Sequence, residues 1–169
     1  NKYSHFVYFD IKGFFDSIPV LQLEEVYLKR FIDDSEIMWL LHTIFMKDCN
    51  GVGIKKGCRT SQLSANVYLN ELDHYIKNQL KVKYYIRYMD DGILVHEDKE
   101  YLKYCLTEID RIVKKYKLEL NNKTKIYKSN EGVEFLGFNF IITNNKVVMK
   151  IKENTLSKEE LNTIKHSDQ

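Results

Sequence analysis

An α+β fold, with an antiparallel sheet, helices packed on one face and a C-terminal β-hairpin, is what this sequence predicts, and three observations carry it. Short β-branched and aromatic runs alternate with longer stretches of helical periodicity. Two strand-like runs, Tyr84 to Met89 and Gly92 to His96, flank the acidic tight turn Asp90-Asp91. The 169 residues are 44% hydrophobic and 13% aromatic, enough to enclose one core, while a single proline and seven glycines leave little room for linkers.

The elements follow in order. Ser4 to Ile11 is a β-branched and aromatic run closed by a turn at Gly13, so it reads as a buried strand with Asp10 at its C-terminal end. Asp16-Ser17-Ile18-Pro19 opens a helix whose apolar positions are Val20, Leu23, Val26, Tyr27 and Phe31, and a second helix runs from about Ser35 to Met46. After the turn Asn50-Gly51-Val52-Gly53, one long helix is predicted from Thr60 to Leu80, with the apolar Leu63, Val67, Leu69, Leu72 and Ile76 at helical spacing and the small Ser61, Ser64 and Ala65 at its start. The Asp90-Asp91 hairpin comes next, then an amphipathic helix from Tyr101 to Tyr116 and a short strand and loop containing Leu118, Leu120 and Ile126. The final hairpin pairs Val133 to Ile142 with Lys146 to Ile151, and a polar helix opens near Ser157 with Glu160 completing a capping box. In such a sheet the first strand can lie beside the Asp90-Asp91 hairpin, which brings Asp10 to the aspartate pair.

A formal charge of +2 does not by itself announce a nucleic-acid binder, although basic residues concentrate between Arg111 and Lys128. Three cysteines, Cys49, Cys58 and Cys105, have neither disulfide-framework nor zinc spacing, which fits a reducing cytoplasm. No apolar stretch approaches the roughly 20 residues that span a bilayer, and no signal peptide is evident.

Three carboxylates at adjoining strand ends repel one another unless a cation lies among them, and oxygen-only ligands point to Mg²⁺ or Mn²⁺. The chemistry implied is phosphoryl transfer on two ions about 3.5–4 Å apart. Taken singly, each piece also has a plainer reading: Asp90-Asp91-Gly92 as an ordinary turn, and Asp10 as the cap of the following helix.

The ordered set of motifs is more specific. Phe9-Asp10-Ile11-Lys12-Gly13-Phe14-Phe15-Asp16, then Lys56-Gly57-Cys58-Arg59-Thr60-Ser61-Gln62-Leu63-Ser64-Ala65-Asn66, then Tyr88-Met89-Asp90-Asp91 resemble, in order, three palm motifs of bacterial reverse transcriptases. Leu120-Asn121-Asn122-Lys123-Thr124 and Glu134-Phe135-Leu136-Gly137-Phe138 resemble the two that follow, so the resemblance covers nearly Phe6 to Ile142. It implies a ferredoxin-like polymerase palm and an RNA-directed DNA polymerase working with two Mg²⁺ ions, or Mn²⁺, on an RNA template, a DNA primer and dNTPs.

Residue by residue, the resemblance implies that Asp10, Asp90 and Asp91 are catalytic metal ligands, supported by the Ile11 carbonyl. The amides of Gly13 and Phe14 face the incoming triphosphate, Phe15 is the steric gate under the sugar, and Gly57 lets the backbone approach the nascent base pair. Lys56 stands where many relatives carry glutamine, leaving a triphosphate contact or a surface role open. Lys123 matches the lysine suspected of protonating pyrophosphate, with Lys125 as its alternative. Tyr88 and Met89 contact the primer 3′ end, and Leu136 and Gly137 hold the primer strand.

Gly57-x-x-x-Ser61-Gln62 is similar to the pattern of diversity-generating retroelements, whereas group II intron and retron enzymes usually carry Ser-Pro; Gly92 replaces a usual aromatic. A phage-defence relative with template-independent synthesis or a regulatory, scaffold role is the alternative, and an accessory retroelement protein is a candidate partner. The palm is expected over residues 1–153 and the start of a thumb or linker over 154–169. Because the fingers precede the first palm strand in the family, they are expected to be missing here, leaving this piece with little activity alone.

Overall fold

The structure, a computed structural model, describes residues 4–47, 50–143 and 146–151. Strand β1, His5–Phe9, is central because its alternation serves two faces: Val7 and Phe9 are fully buried, while Phe6 and Tyr8 turn to the other side. It pairs antiparallel with β3, Asp91–His96, on one edge and with β4, Lys125–Lys128, on the other; β2, Tyr84–Tyr88, completes the order β2-β3-β1-β4.

Six α-helices accompany this sheet among the described residues. Helix α1, Phe14–Ser17, is one turn, and α2, Val20–Gln22, continues through a π turn and a 3₁₀ turn to Arg30. Helix α3, Ser35–Met46, starts at Asp34, whose carboxylate accepts from the Glu36 and Ile37 amides at 2.8 and 3.1 Å. Helices α4, Arg59–Tyr68, and α5, Asn70–His74, run on into a π turn over Tyr75–Gln79. Helix α6, Lys99–Lys115, is capped by Asp98 and buries Leu102, Cys105, Ile109, Ile112 and Val113, a stripe at helical spacing that lies against β1 and β3. The layer beneath the sheet is closed by Tyr27, Tyr68 and Tyr116, whose rings meet edge-on or tilted at 4.8–5.9 Å, and the Tyr68 hydroxyl donates to the Tyr116 carbonyl. No helix among the described residues is long and apolar enough to cross a membrane.

The sheet, the helical layer and the β1–β3 neighbourhood agree with the sequence prediction; four details differ. The helix expected over 60–80 breaks at Leu69, and Leu63 is 68% exposed, because the inward face is built by the small residues Ser61, Ser64 and Ala65 rather than by Leu63. Phe31 is also exposed, since the 3₁₀ turn ends the helix at Arg30 and carries it off the buried stripe. The hairpin turn is Met89-Asp90, not Asp90-Asp91, and Asp91 is the first residue of β3. The strand expected over 133–142 folds back at Leu136-Gly137, both at positive φ (53° and 82°), as a two-residue hairpin turn requires. That yields a three-stranded sheet of β5, Val133–Phe135, β6, Phe138–Thr143, and β7, Lys146–Ile151. The polar helix expected near Ser157 lies outside the described residues.

Gly92 sits directly across from Phe9, and a Cβ added to it would lie 2.2 Å from the Phe9 ring. The aromatic ring occupies the space a side chain at 92 would need. Gly92→Ala is therefore expected to lower the unfolding free energy by about 1–3 kcal/mol, as overpacked cores do; a denaturant midpoint equal to that of the parent chain would contradict this packing.

Candidate active site

Pairing of Tyr8 with Ile93 and Phe9 with Gly92 sets the register, so that Asp10 and Asp91 stand opposite each other one step past the last pair. Tyr88 flanks Asp91 on the other side, and Asp90 occupies the hairpin tip. Tyr8, Asp10 and Asp91 share the sheet face that the helices leave open. The Tyr8 hydroxyl donates to Asp91 Oδ1 at 2.7 Å, giving that carboxylate a fixed partner.

The Asp10 backbone is pinned from the β4 side. Its N–H donates to Thr124 Oγ1 at 3.0 Å, and its carbonyl accepts from the Asn121 amide at 2.8 Å and the Thr124 hydroxyl at 3.2 Å. Ile11 bridges Leu120 with the Lys12 amide bonded to the Glu119 carbonyl, a wide pair that leaves the Ile11 carbonyl aimed away from Leu120, toward the Asp90 hairpin.

The carboxylates feel one another. Partial burial pushes the Asp10 carboxyl above its ordinary range, the charges of Asp91 and Asp90 push it further, and Lys123 pulls it back. Asp90 is likewise raised by burial, restrained by its own backbone N–H, raised again by Asp91 and lowered by Lys56 and Arg87. Tyr8 is raised strongly, first by burial and then by its bond to Asp91, so it stays a neutral donor. Among the described residues no three acidic, histidine or cysteine side chains stand together as a group that could hold a metal ion; Asp10 feels the charges of Asp90 and Asp91, and Asp91 is held by Tyr8. The donor set fits a hard divalent cation, since it offers only oxygen and carries mutual repulsion that such a charge would cancel.

The residues expected around a nucleotide fall in the turn after β1, the loop before α4, the aspartate hairpin and the β5–β6 turn. Gly13 caps α1 in the left-handed region at φ 56°; Phe14 is buried and Phe15 half-buried, their rings edge to face at 5.5 Å. The Phe15 carbonyl accepts from the Ile54 amide, and Lys56 Nζ donates to Asp16 Oδ2 at 2.7 Å, so the loop before α4 is fastened to the segment after β1. Gly57 has φ 83°, and a Cβ there would meet nothing within 4 Å; its backbone, not a crowded neighbour, calls for glycine, and the space above it is open. On the other side a cleft of about 390 Å³ lies between the sheet and the β5–β6 turn, lined by Tyr8, Asp91, Lys123, Leu136 and Gly137 among others. Leu136 is 49% exposed and Tyr88 54% exposed, both poorly explained as core. Met89, in the hairpin turn, has φ 52°, unusual for a residue with a side chain.

Sequence reasoning missed three contributors. Tyr8 could have been found by period-two spacing, being two residues before Asp10 on the same strand face. Thr124 staples Asp10 from 114 residues away, and nothing local signals it. Arg87, its side chain 8% exposed, reaches Asp73 from inside β2 although the strand's apolar residues Ile86 and Tyr88 face outward.

A family model described as "Reverse transcriptase (RNA-dependent DNA polymerase)" matches residues 1–140. No curated protein matches the chain. Among solved structures, that of apo telomerase from Candida tropicalis, truncated from the C-terminal domain, is similar with TM-score 0.65 and 16% identity over 86% of this chain. The chain spans 35% of that telomerase chain, and the likeness is one of fold.

Because Asp10 and Asp90 hold protons more tightly folded than unfolded, their charges lower stability as pH rises from the ordinary carboxylate range through the raised folded values. In EDTA at pH 7, Asp10→Asn and Asp90→Asn should each raise the unfolding temperature, and the gain should vanish below about pH 4, where the parent carboxyls are protonated too. Unchanged melting at both pH values would show that neither burial nor the neighbouring charges raise these carboxyls.

Proposed function

We propose that this chain, which belongs to the reverse transcriptase (RNA-dependent DNA polymerase) family, is the catalytic palm of an RNA-directed DNA polymerase that adds dNTPs to a primer 3′-hydroxyl. The observation that carries the reading is the β1–β3 register, which sets Asp10 across from Asp91 with Asp90 adjacent, so that Asp10 lies in the field of both other carboxylates. Asp10, Asp90, Asp91 and the Ile11 carbonyl would hold two Mg²⁺, or Mn²⁺, ions. When bound, such ions favour the primer alkoxide and neutralise charge on the departing pyrophosphate.

The chain's own residues supply binding and orientation. The Gly13 and Phe14 amides receive triphosphate oxygens at the tight turn after β1. Lys56, 63% exposed in its side chain and near enough to depress Asp90, trades Asp16 for a phosphate as the nucleotide enters. Phe15 lies under the sugar and excludes a 2′-hydroxyl, while the open space at Gly57 admits the base pair. Lys123, on the cleft and felt by Asp10, gives a proton to the pyrophosphate. Tyr88 and Met89 meet the primer end, and the exposed Leu136-Gly137 turn holds the strand from across the cleft. Template RNA, primer DNA and dNTPs are the partners, with residues 1–153 forming the palm.

Within the family, a bacterial or phage retroelement of the diversity-generating kind is the subclass we favour, on Gly57-x-x-x-Ser61-Gln62. The Gln62 amide donates to the Cys58 carbonyl at 3.1 Å at the start of α4, a bond proline at this position could not make.

Full-length protein, offered an RNA template, a DNA primer, dNTPs and Mg²⁺, should extend the primer and stop on addition of EDTA. Asp90→Asn should lower kcat by at least about 10²-fold; extension indifferent to that change, or DNA made with no template present, would refute the assignment. In the same assay Phe15→Ala should raise ribonucleotide incorporation relative to dNTP, and an unaltered ratio would remove Phe15 from the gate.

A further inference from the structure

We propose that Arg87 is a positioning residue for the proposed polymerase site, holding the Met89–Asp90 peptide of the hairpin turn in the orientation that presents the Asp90 carboxylate. The inference rests on the role of Asp90 argued above. Arg87 is the penultimate residue of β2 and points beneath the sheet, where its guanidinium fork meets three separate elements. Nε donates to Asp73 Oδ1 at 2.8 Å and Nη2 to Asp73 Oδ2 at 2.6 Å, a bidentate pair to α5. Nη1 donates to Asn66 Oδ1 of α4 at 3.1 Å and to the Met89 carbonyl at 2.6 Å. The Tyr85 hydroxyl closes the cluster on Asp73 Oδ1 at 2.6 Å.

The last arginine bond has a conformational consequence. Tyr88 and Asp91 pair across the hairpin, so Met89 and Asp90 are the two central turn residues and the Met89 carbonyl belongs to the peptide between them. Met89 has positive φ and Asp90 does not, which is the sign pattern of a type II′ turn, whose first central position is ordinarily glycine. Rotating that central peptide by half a turn converts II′ to I′ and moves Asp90 to positive φ, redirecting its side chain. A guanidinium anchored by α4 and α5 and bonded to the Met89 carbonyl opposes the rotation. Lysine could keep the charge but not the fork, because it cannot serve Asp73 through two parallel bonds and reach Met89 as well.

The test compares full-length parent protein with Arg87→Lys and Arg87→Gln, and with the double variant Arg87→Gln, Asp73→Asn, which leaves no unpaired buried charge if the single change unfolds the chain. The amide resonance of Asp90 reports the turn, and loss of the free Mn²⁺ signal in electron paramagnetic resonance reports metal affinity. The expected result is a shifted or doubled Asp90 amide in the variants together with Mn²⁺ binding weakened about 10–100-fold, the range seen when groups that orient metal ligands are removed. An Asp90 amide and an Mn²⁺ affinity both unchanged in folded variants would overturn the proposal. A displaced turn in the variants, alongside a parent that neither binds Mn²⁺ nor extends a primer, would uphold arginine control of the turn and instead overturn the polymerase reading.

Discussion

The pairing of β1 with β3, fixed where Phe9 fills the space left by Gly92, is the constraint on which the candidate site depends. A one-residue slip in a strand pair exchanges its two faces. Here a slip would send Tyr8 and Asp10 toward the helical layer and bring Val7 and Phe9 out to solvent, so burial of the apolar set and convergence of the aspartates are secured together. The close fit of ring against glycine adds a second lock, since only one position on β3 can accept the Phe9 ring.

Gathering like charges opposes folding, and the surroundings of the site are arranged to bear it. Asp10 is raised by burial and by Asp91 and Asp90, Asp90 by burial and by Asp91, while Lys123 offsets part of this at Asp10 and Lys56 and Arg87 at Asp90. Tyr8 hydrogen-bonds Asp91, and Asn121 and Thr124 hold the Asp10 backbone from the turn before β4. These supports come from strands and turns, not from mobile side chains alone. Such an arrangement keeps the carboxylates in place despite their repulsion.

Strand β2 departs from the usual rule of apolar inside and polar outside. Tyr84, Ile86 and Tyr88 face outward, whereas Arg87 lies beneath with Asp73 and Tyr85. A buried ion pair is weak evidence for stability, and the outward aromatic face adds nothing to the core. Both are accounted for in the proposed function, where the outer face meets the primer and the inner arginine holds the hairpin turn that borders it.

The sequence by itself determined the α+β class, the strands around Asp10 and the aspartate hairpin, and the ordered motifs, because period-two and helical spacing and short signature strings are local properties. It also located α6, whose stripe from Leu102 to Val113 follows one helical face. It misjudged Leu63, since periodicity cannot tell a leucine face from the opposing face of Ser61, Ser64 and Ala65 until the layer that needs small side chains is known. It placed the turn one residue late and ran one strand through Leu136-Gly137, because left-handed conformations at Met89 and Leu136 run against residue preference and are imposed by pairing partners. Only tertiary structure decided that Tyr8 holds Asp91, that Thr124 staples Asp10 and that Arg87 holds the Met89 carbonyl. The Thr124 contact joins residues more than a hundred positions apart, and all three depend on register and burial, quantities that exist only once the sheet has closed over its helices.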